Sequence, residues 1–301
     1  MTRGHIPRTK LIAAFAAIYF IWGSTFLAIK FAIASVPPFS MAAIRFLIAG
    51  GALYGYALLR SPLRPRPIHW LHAFIIGALM LGIGNGAVVW AELRISSGLT
   101  ALVVSIIPLW VVILDWLRPR GEKPHGAVLV GVLSGLAGMA LLIGPGAFGR
   151  SDVDTTAALV LLLGSFTWSV ATVFGRMAAV PGYPPLTSAM QMLSGAACLM
   201  LLSVIAGEPS RISAASFTWQ AIAAMLYLAV FGSIVAFSAY SWLMRVAEPA
   251  KIATYAYVNP VIAMLLGWAL AGEKLGLRTL IAGAVILAGV ALITTGMSRK
   301  Q

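Results

Sequence analysis

What most constrains this chain is a succession of apolar stretches, each near the roughly 20 residues a helix needs to cross the hydrocarbon core of a bilayer. Ten such stretches run near 11–34, 38–59, 70–91, 97–117, 126–144, 157–178, 184–206, 218–242, 251–271 and 279–297. With 60% hydrophobic and 10% charged residues, little polar surface is left over for a water-soluble fold. The joins are short and marked by charge and proline, as in "RSPLRPRP" (60–67) and "PRGEKP" (119–124), so no soluble domain fits between spans. Period-2 alternation in segments of about ten residues, the mark of a membrane barrel, is absent. Helices are the spanning element that remains.

The basic start (Arg3, Arg8, Lys10) followed by an apolar run and "AIAS" (32–35) imitates a cleavable signal peptide. That reading is rejected, because the run is too long and carries Trp22, Ser24, Thr25 and Lys30. The single cysteine, Cys198, lies inside a span and excludes an internal disulfide. Net charge is +13, but its distribution argues against nucleic acid. With the N-terminus inside, 14 basic residues fall on the cytoplasmic side and 6 on the outer side, with Arg45 inside a span. Positive residues favour the cytoplasmic face, so both termini are expected there. A nucleic-acid site needs a contiguous solvated basic patch, and none is visible.

Internal repetition decides the architecture. "GEK" occurs at 121–123 and at 272–274, an offset of 151 shared by Gly138 and Gly289, while Pro108 and Pro260 are 152 apart. Trp22 and Lys30 match Trp168 and Arg176 at 146, and Pro37-Pro38 match Pro184-Pro185 at 147. Two repeats, 1–146 and 157–297, each hold five spans, and an odd number inverts the second relative to the first. The fold expected is therefore an all-α integral membrane protein of ten helices in two inverted five-helix repeats. Such repeats characterise secondary transporters.

The stretches "IWGSTFLAIKFAIASVPP", "AAIRFLIAGG", "NGAVVWAELRISSGLTALVVSIIP", "TYAYVNPVIAMLLGWALAGEKL" and "IAGAVILAGVALIT" resemble the EamA-domain branch of the drug/metabolite transporter superfamily, over essentially the whole chain. The resemblance implies a ten-helix carrier of the bacterial inner membrane with cytoplasmic termini and a cavity between the halves. It also implies export of amino acids or other small metabolites, without fixing the compound. The small multidrug branch is similar in fold but depends on an acid in its first span. Residues 11–34 contain none, which weakens cation-drug/proton exchange.

Prolines at 108 and 260 interrupt the fourth and ninth spans at matching depth, and paired interruptions of this kind point to a midplane site. Each frees a carbonyl one turn earlier, Val104 or Ala256, and is a candidate hinge. A static bend repaired by Ser105 is the alternative. At i, i+4 spacing, Lys251, Tyr255 and Asn259 form one stripe, Trp22, Phe26 and Lys30 a second, and Trp168, Thr172 and Arg176 a third. Asn85 interrupts the glycine run "GIGNG", where an amide in hydrocarbon requires a partner. The expected cavity lining is thus Trp22, Ser24, Thr25, Asn85, Ser105, Trp168, Tyr240, Tyr255 and Asn259. Polar aromatics there suit a zwitterionic or amine substrate; interhelical packing is the competing role for each residue.

Ionisable residues within spans are few, so each is a functional suspect. Lys30, Arg45 and Glu92 fall toward the outer third, and the expectation is a gate in which Glu92 pairs with Lys30 or Arg45. Proton coupling through Glu92 stays open. Asp115, near Arg118, reads as an interfacial ion pair. No zinc-hydrolase spacing or Gly-x-Ser-x-Gly elbow is present, and His69, His72 and His125 make no closed metal set, so no enzyme, metal or cofactor is expected. The partners expected are a small-molecule substrate and membrane lipids. Nucleotide-sugar or lipid-like cargo remains an alternative.

Overall fold

The computed structural model of the chain describes residues 8–117, 126–143, 154–247, 252 and 254–298. Every regular element among the described residues is helical. Seven helical spans are long and apolar enough to cross a bilayer: α1 (Arg8–Ile33), α2 (Pro38–Arg60), α3 (Pro67–Ala91), α4 (Ser97–Leu117), α6 (Thr155–Gly175), α7 (Pro184–Ile205) and α8 (Trp219–Tyr240). Their 21 to 26 residues reach roughly 32 to 39 Å at about 1.5 Å per residue, against a core of roughly 30 Å. Three further apolar helices, α5 (Gly126–Ile143), α9 (Tyr255–Ala271) and α10 (Leu277–Ser298), occupy the other stretches expected from the sequence.

Local chemistry sets the helix ends. Pro38, Pro67 and Pro184 open α2, α3 and α7, where a fixed φ and a missing N–H cost nothing. Ser96, Asp154 and Thr218 cap α4, α6 and α8, each side-chain oxygen accepting from an N–H three residues on. At two helix ends the chain turns through a left-handed glycine, Gly207 (φ 66°) after α7 and Gly272 (φ 64°) after α9. Without a Cβ, glycine takes this conformation at little cost and allows the next residue to fold back over the helix. In both cases that next residue is a glutamate. The Glu208 N–H returns to the Ser203 carbonyl (2.9 Å) and the Glu273 N–H to the Gly267 carbonyl (3.1 Å).

Both carboxylates then reach the exposed N–H groups at the start of a helix in the N-terminal half. Glu208 accepts from the N–H of Phe39 (3.1 Å) and of Ser40 (2.7 Å) and from the Ser40 hydroxyl (2.8 Å), at the start of α2. Glu273 accepts from the N–H of Ser97 (2.8 Å) and of Gly98 (3.2 Å), at the start of α4. A helix N-terminus offers unpaired donors and the positive end of the helix dipole, so a buried carboxylate is well accommodated there.

Packing follows the repeat. Helix α2 lies against α7, α5 against α10, α3 against α6 and α1 against α8, while α9 packs on α1 and α4. The backbones of α3 and α7 approach so closely at Gly77 that a Cβ there would stand 2.3 Å from the Gln191 carbonyl oxygen and 3.0 Å from the Gly195 nitrogen. Helices α3 and α8 each widen into an eight-residue π-helical stretch, Ala78–Asn85 and Leu228–Val235, whose starts at 78 and 228 are 150 positions apart. That offset lies within one residue of the "GEK" repeat. A shorter π-helical turn, Ala17–Ile21, precedes Trp22 in α1.

The paired prolines behave differently. Helix α4 is interrupted: its first half ends at Val104, and a second begins at Ile107, next to Pro108. Helix α9 runs unbroken through Pro260. The equal interruptions expected from the sequence are therefore unequal, because α4 turns at Ser105 and Ile106 whereas Pro260 costs α9 a single bond. Several residues counted in the charge asymmetry, Arg3, Arg118, Arg120, Lys123, Arg150, Lys251, Arg299 and Lys300, lie outside the described residues, as does His125.

Candidate functional site

A cavity with about 110 Å³ open to the centres of water molecules lies among α1, α2, α3, α4, α6, α8 and α9. Of the residues expected to line it, Trp22, Thr25, Asn85, Ser105, Trp168, Tyr255 and Asn259 do so, joined by Arg45 and Pro260. Val104 and Ala256, each four residues before one of the two prolines, are also in the wall. Among the described residues, none that lines the cavity is acidic.

The π-helical stretches bring backbone and side chains together at this depth. The Trp22 indole donates to the Gly232 carbonyl at 3.1 Å, inside the widened turn of α8. Around it lie Phe237, Tyr240 and Tyr255, with ring centroids 6.1, 5.2 and 5.2 Å away. Turned so that its nitrogen faces carbonyls, the Asn259 amide donates to Tyr19 (3.0 Å) and Tyr255 (3.3 Å) and ties α9 to α1. The Asn85 Oδ1, at the end of the α3 stretch, is buried with no hydrogen-bond partner among the described residues.

Other expected residues are placed elsewhere. Ser24 does not reach the cavity; its hydroxyl donates to the Ile21 carbonyl (2.8 Å) and pairs with the Tyr227 hydroxyl (2.6 Å). Tyr240 forms a second layer behind Trp22 and Tyr255. Pro108 is buried beside the break in α4, outside the cavity wall. Among the stripe ends, Arg176 approaches Asp115 at 3.7 Å, whereas Lys251 lies outside the described residues, as does Arg118, the expected partner of Asp115.

A hydrogen bond from Lys30 or Arg45 to Glu92, the form the expected pairing would take, is not seen among the described residues. Lys30 Nζ donates to Glu273 Oε1 at 2.5 Å, and Arg45 Nε donates to Ser233 Oγ at 3.1 Å. Glu92 is buried, and neither of its oxygens accepts a hydrogen bond among the described residues, although Glu273, Lys30 and Arg45 all lie within electrostatic reach. The physical reason is preorganisation. Two backbone donors already hold the Glu273 carboxylate at the head of α4, so Lys30 meets a fixed, desolvated anion.

Two stretches of the chain, residues 9–144 and 155–295, match the EamA-like transporter family. The chain belongs to that family. It is 40% identical over 291 residues to YedA of Escherichia coli, described as an uncharacterized inner membrane transporter, with 95% of this chain and 91% of YedA covered. It is 23% identical to the uncharacterized transporter YoaV of Bacillus subtilis, with 97% and 99% covered. A solved crystal structure of a protein 25% identical in sequence superposes with a TM-score of 0.67, over 97% of this chain and 99% of the other. The family resemblance read from the motifs is thus shown. This EamA-like chain is a multi-pass membrane protein of a transporter family.

Sequence reasoning misses the two glutamates that join the halves of the EamA-like chain. "GEK" at 272–274 reads only as a repeat marker, and Glu208 in "AGEPS" attracts no notice. A signal exists: in each, a Gly-Glu pair directly follows an apolar span, and glycine there permits the turn that aims the acid.

Proposed function

We propose that the chain is a secondary transporter of the bacterial inner membrane, with ten spans in two inverted repeats (residues 1–146 and 157–297), cytoplasmic termini and alternating access to the central cavity. It exports amino acids or related small metabolites. What carries this reading is the position of the cavity, whose wall draws on helices of both halves and on the widened turns of α3 and α8. Irregular backbone inside a membrane is tolerated where it faces a cavity, and there it supplies polar groups to a substrate. That no described residue of the wall is acidic speaks against a cationic drug as cargo.

In this reading the gate passes from Glu92 to Glu208 and Glu273. Both tie the C-terminal half to the N-terminal half at one end of the bundle, the extracytoplasmic end under the proposed orientation. Opening that end requires both clamps to release.

Substrate counterflow in proteoliposomes across amino acids, amines and organic acids tests the proposal. Trp22→Ala and Asn259→Ala are expected to cut flux of the carried compound about tenfold or more, since each removes a polar contact from the wall. Flux of no compound above protein-free liposomes, or full activity of both variants, sinks it.

A further inference from the structure

We propose that Arg45 is the anion anchor of the cavity, so that the preferred substrates carry a carboxylate or similar anionic group on an apolar body. The proposal rests on reading the cavity as the transport site. Arg45 is 5% exposed, sits within α2 and lines the cavity. An arginine at such depth needs its donors satisfied, because a buried cation without partners is costly.

Only part of the guanidinium is used. Its Nε donates to Ser233 Oγ, and its Cζ lies 4.5 Å from the centroid of the Phe46 ring. Ser233 is itself fixed, donating at 3.0 Å to the Leu228 carbonyl across the π-helical stretch of α8. Nη1 is buried and has no hydrogen-bond partner among the described residues. The guanidinium is therefore held in place along one edge and keeps an unmatched donor, on a residue that lines an otherwise largely apolar cavity.

A planar guanidinium with a free donor recognises carboxylate strongly and directionally. Around it Trp22, Phe26, Phe46, Trp168 and Phe237 supply apolar surface for the body of the ligand. Glu92 lies within electrostatic reach of Arg45 but is not among the residues of the wall. The competing arrangement is a static Arg45–Glu92 pair with no role in recognition.

Equilibrium binding of radiolabelled phenylacetate and phenylacetamide to the purified protein separates the two, since these probes share a body and differ in charge. Wild type is expected to bind phenylacetate at least about tenfold more tightly than the amide. Arg45→Gln should lose that preference, Arg45→Lys should keep part of it, and Glu92→Gln should keep or increase it. Loss of folding alone lowers both affinities and leaves their ratio unchanged. Equal binding of the two probes by wild type, an unchanged ratio in an Arg45→Gln protein that still binds the amide as tightly as wild type, or binding of neither probe overturns the anchor. The transport reading falls separately, only if counterflow finds no carried compound.

Discussion

Glu273→Gln is expected to destabilise the protein by about 3 kcal/mol, the low end of what removing one member of a buried ion pair costs. The estimate sits at the low end because the Lys30 side chain is 33% exposed and keeps some hydration, whereas that of Glu273 is 2% exposed. The amide retains one acceptor for the donors of Ser97, Gly98 and Lys30, and its own nitrogen then faces donors. Melting in detergent measures the loss, and counterflow should show that transport falls with it. A melting temperature equal to that of wild type would remove Glu273 from any role in holding the halves together.

The same contact fixes a pH dependence. Burial pushes the Glu273 carboxyl up, but hydrogen bonds from Lys30, Ser97 and Gly98 outweigh it, and the group titrates below its ordinary value of 4.5. Its stabilising contribution is therefore complete above that value and is lost as pH falls through the lower, folded-state value. The difference in melting temperature between wild type and Glu273→Gln should stay constant from neutral pH down to about 5 and shrink only in stronger acid.

Gly77→Ala is the second large effect. The added carbon would lie 2.3 Å from a backbone oxygen of α7 and 3.0 Å from the Gly195 nitrogen, and main chain within a helix cannot turn aside as a side chain can. Helices α3 and α7 must separate, at a cost near the upper end of the roughly 1 to 3 kcal/mol typical of overpacking. Because α3 carries Leu81, Gly84, Asn85 and Val88 into the cavity wall, the displacement should also reduce flux. Gly51→Ala is the control. Nothing lies within 4 Å of a Cβ at that position, so alanine there should be neutral or slightly stabilising. Equal melting temperatures for Gly77→Ala and Gly51→Ala would contradict the close approach.

Apolar length and repeat spacing make the helical stretches and the family legible, since a bilayer leaves few ways to satisfy backbone groups. Much of the cavity wall is legible for the same reason: Trp22, Asn85, Trp168 and Asn259 are polar-capable residues at positions where hydrocarbon offers no partner. Ser24 and Tyr240 show where this fails. Spacing along one helix does not reveal that a neighbouring Tyr227 or Trp22 takes up the side chain. Glu92 was a plausible partner for Lys30 by depth, but depth does not encode the left-handed turn at Gly272 that delivers Glu273 first. Nor does composition foretell the π-helical stretch of α8, whose Gly232 carbonyl accepts from the indole of Trp22.

The clamps also divide mutational freedom unevenly between the halves. At the heads of α2 and α4 the donors are largely main-chain N–H groups, which nineteen of the twenty amino acids provide and only proline lacks. Position 39, where the Phe39 N–H meets Glu208, can thus drift in side chain without losing that bond, subject to packing. The carboxylate side, which accepts, has no such latitude, since each site needs a carboxylate of one length directly after a residue able to hold a positive φ. Sequence change in such a protein should accumulate at the heads of α2 and α4 while sparing the Gly-Glu pairs that reach them.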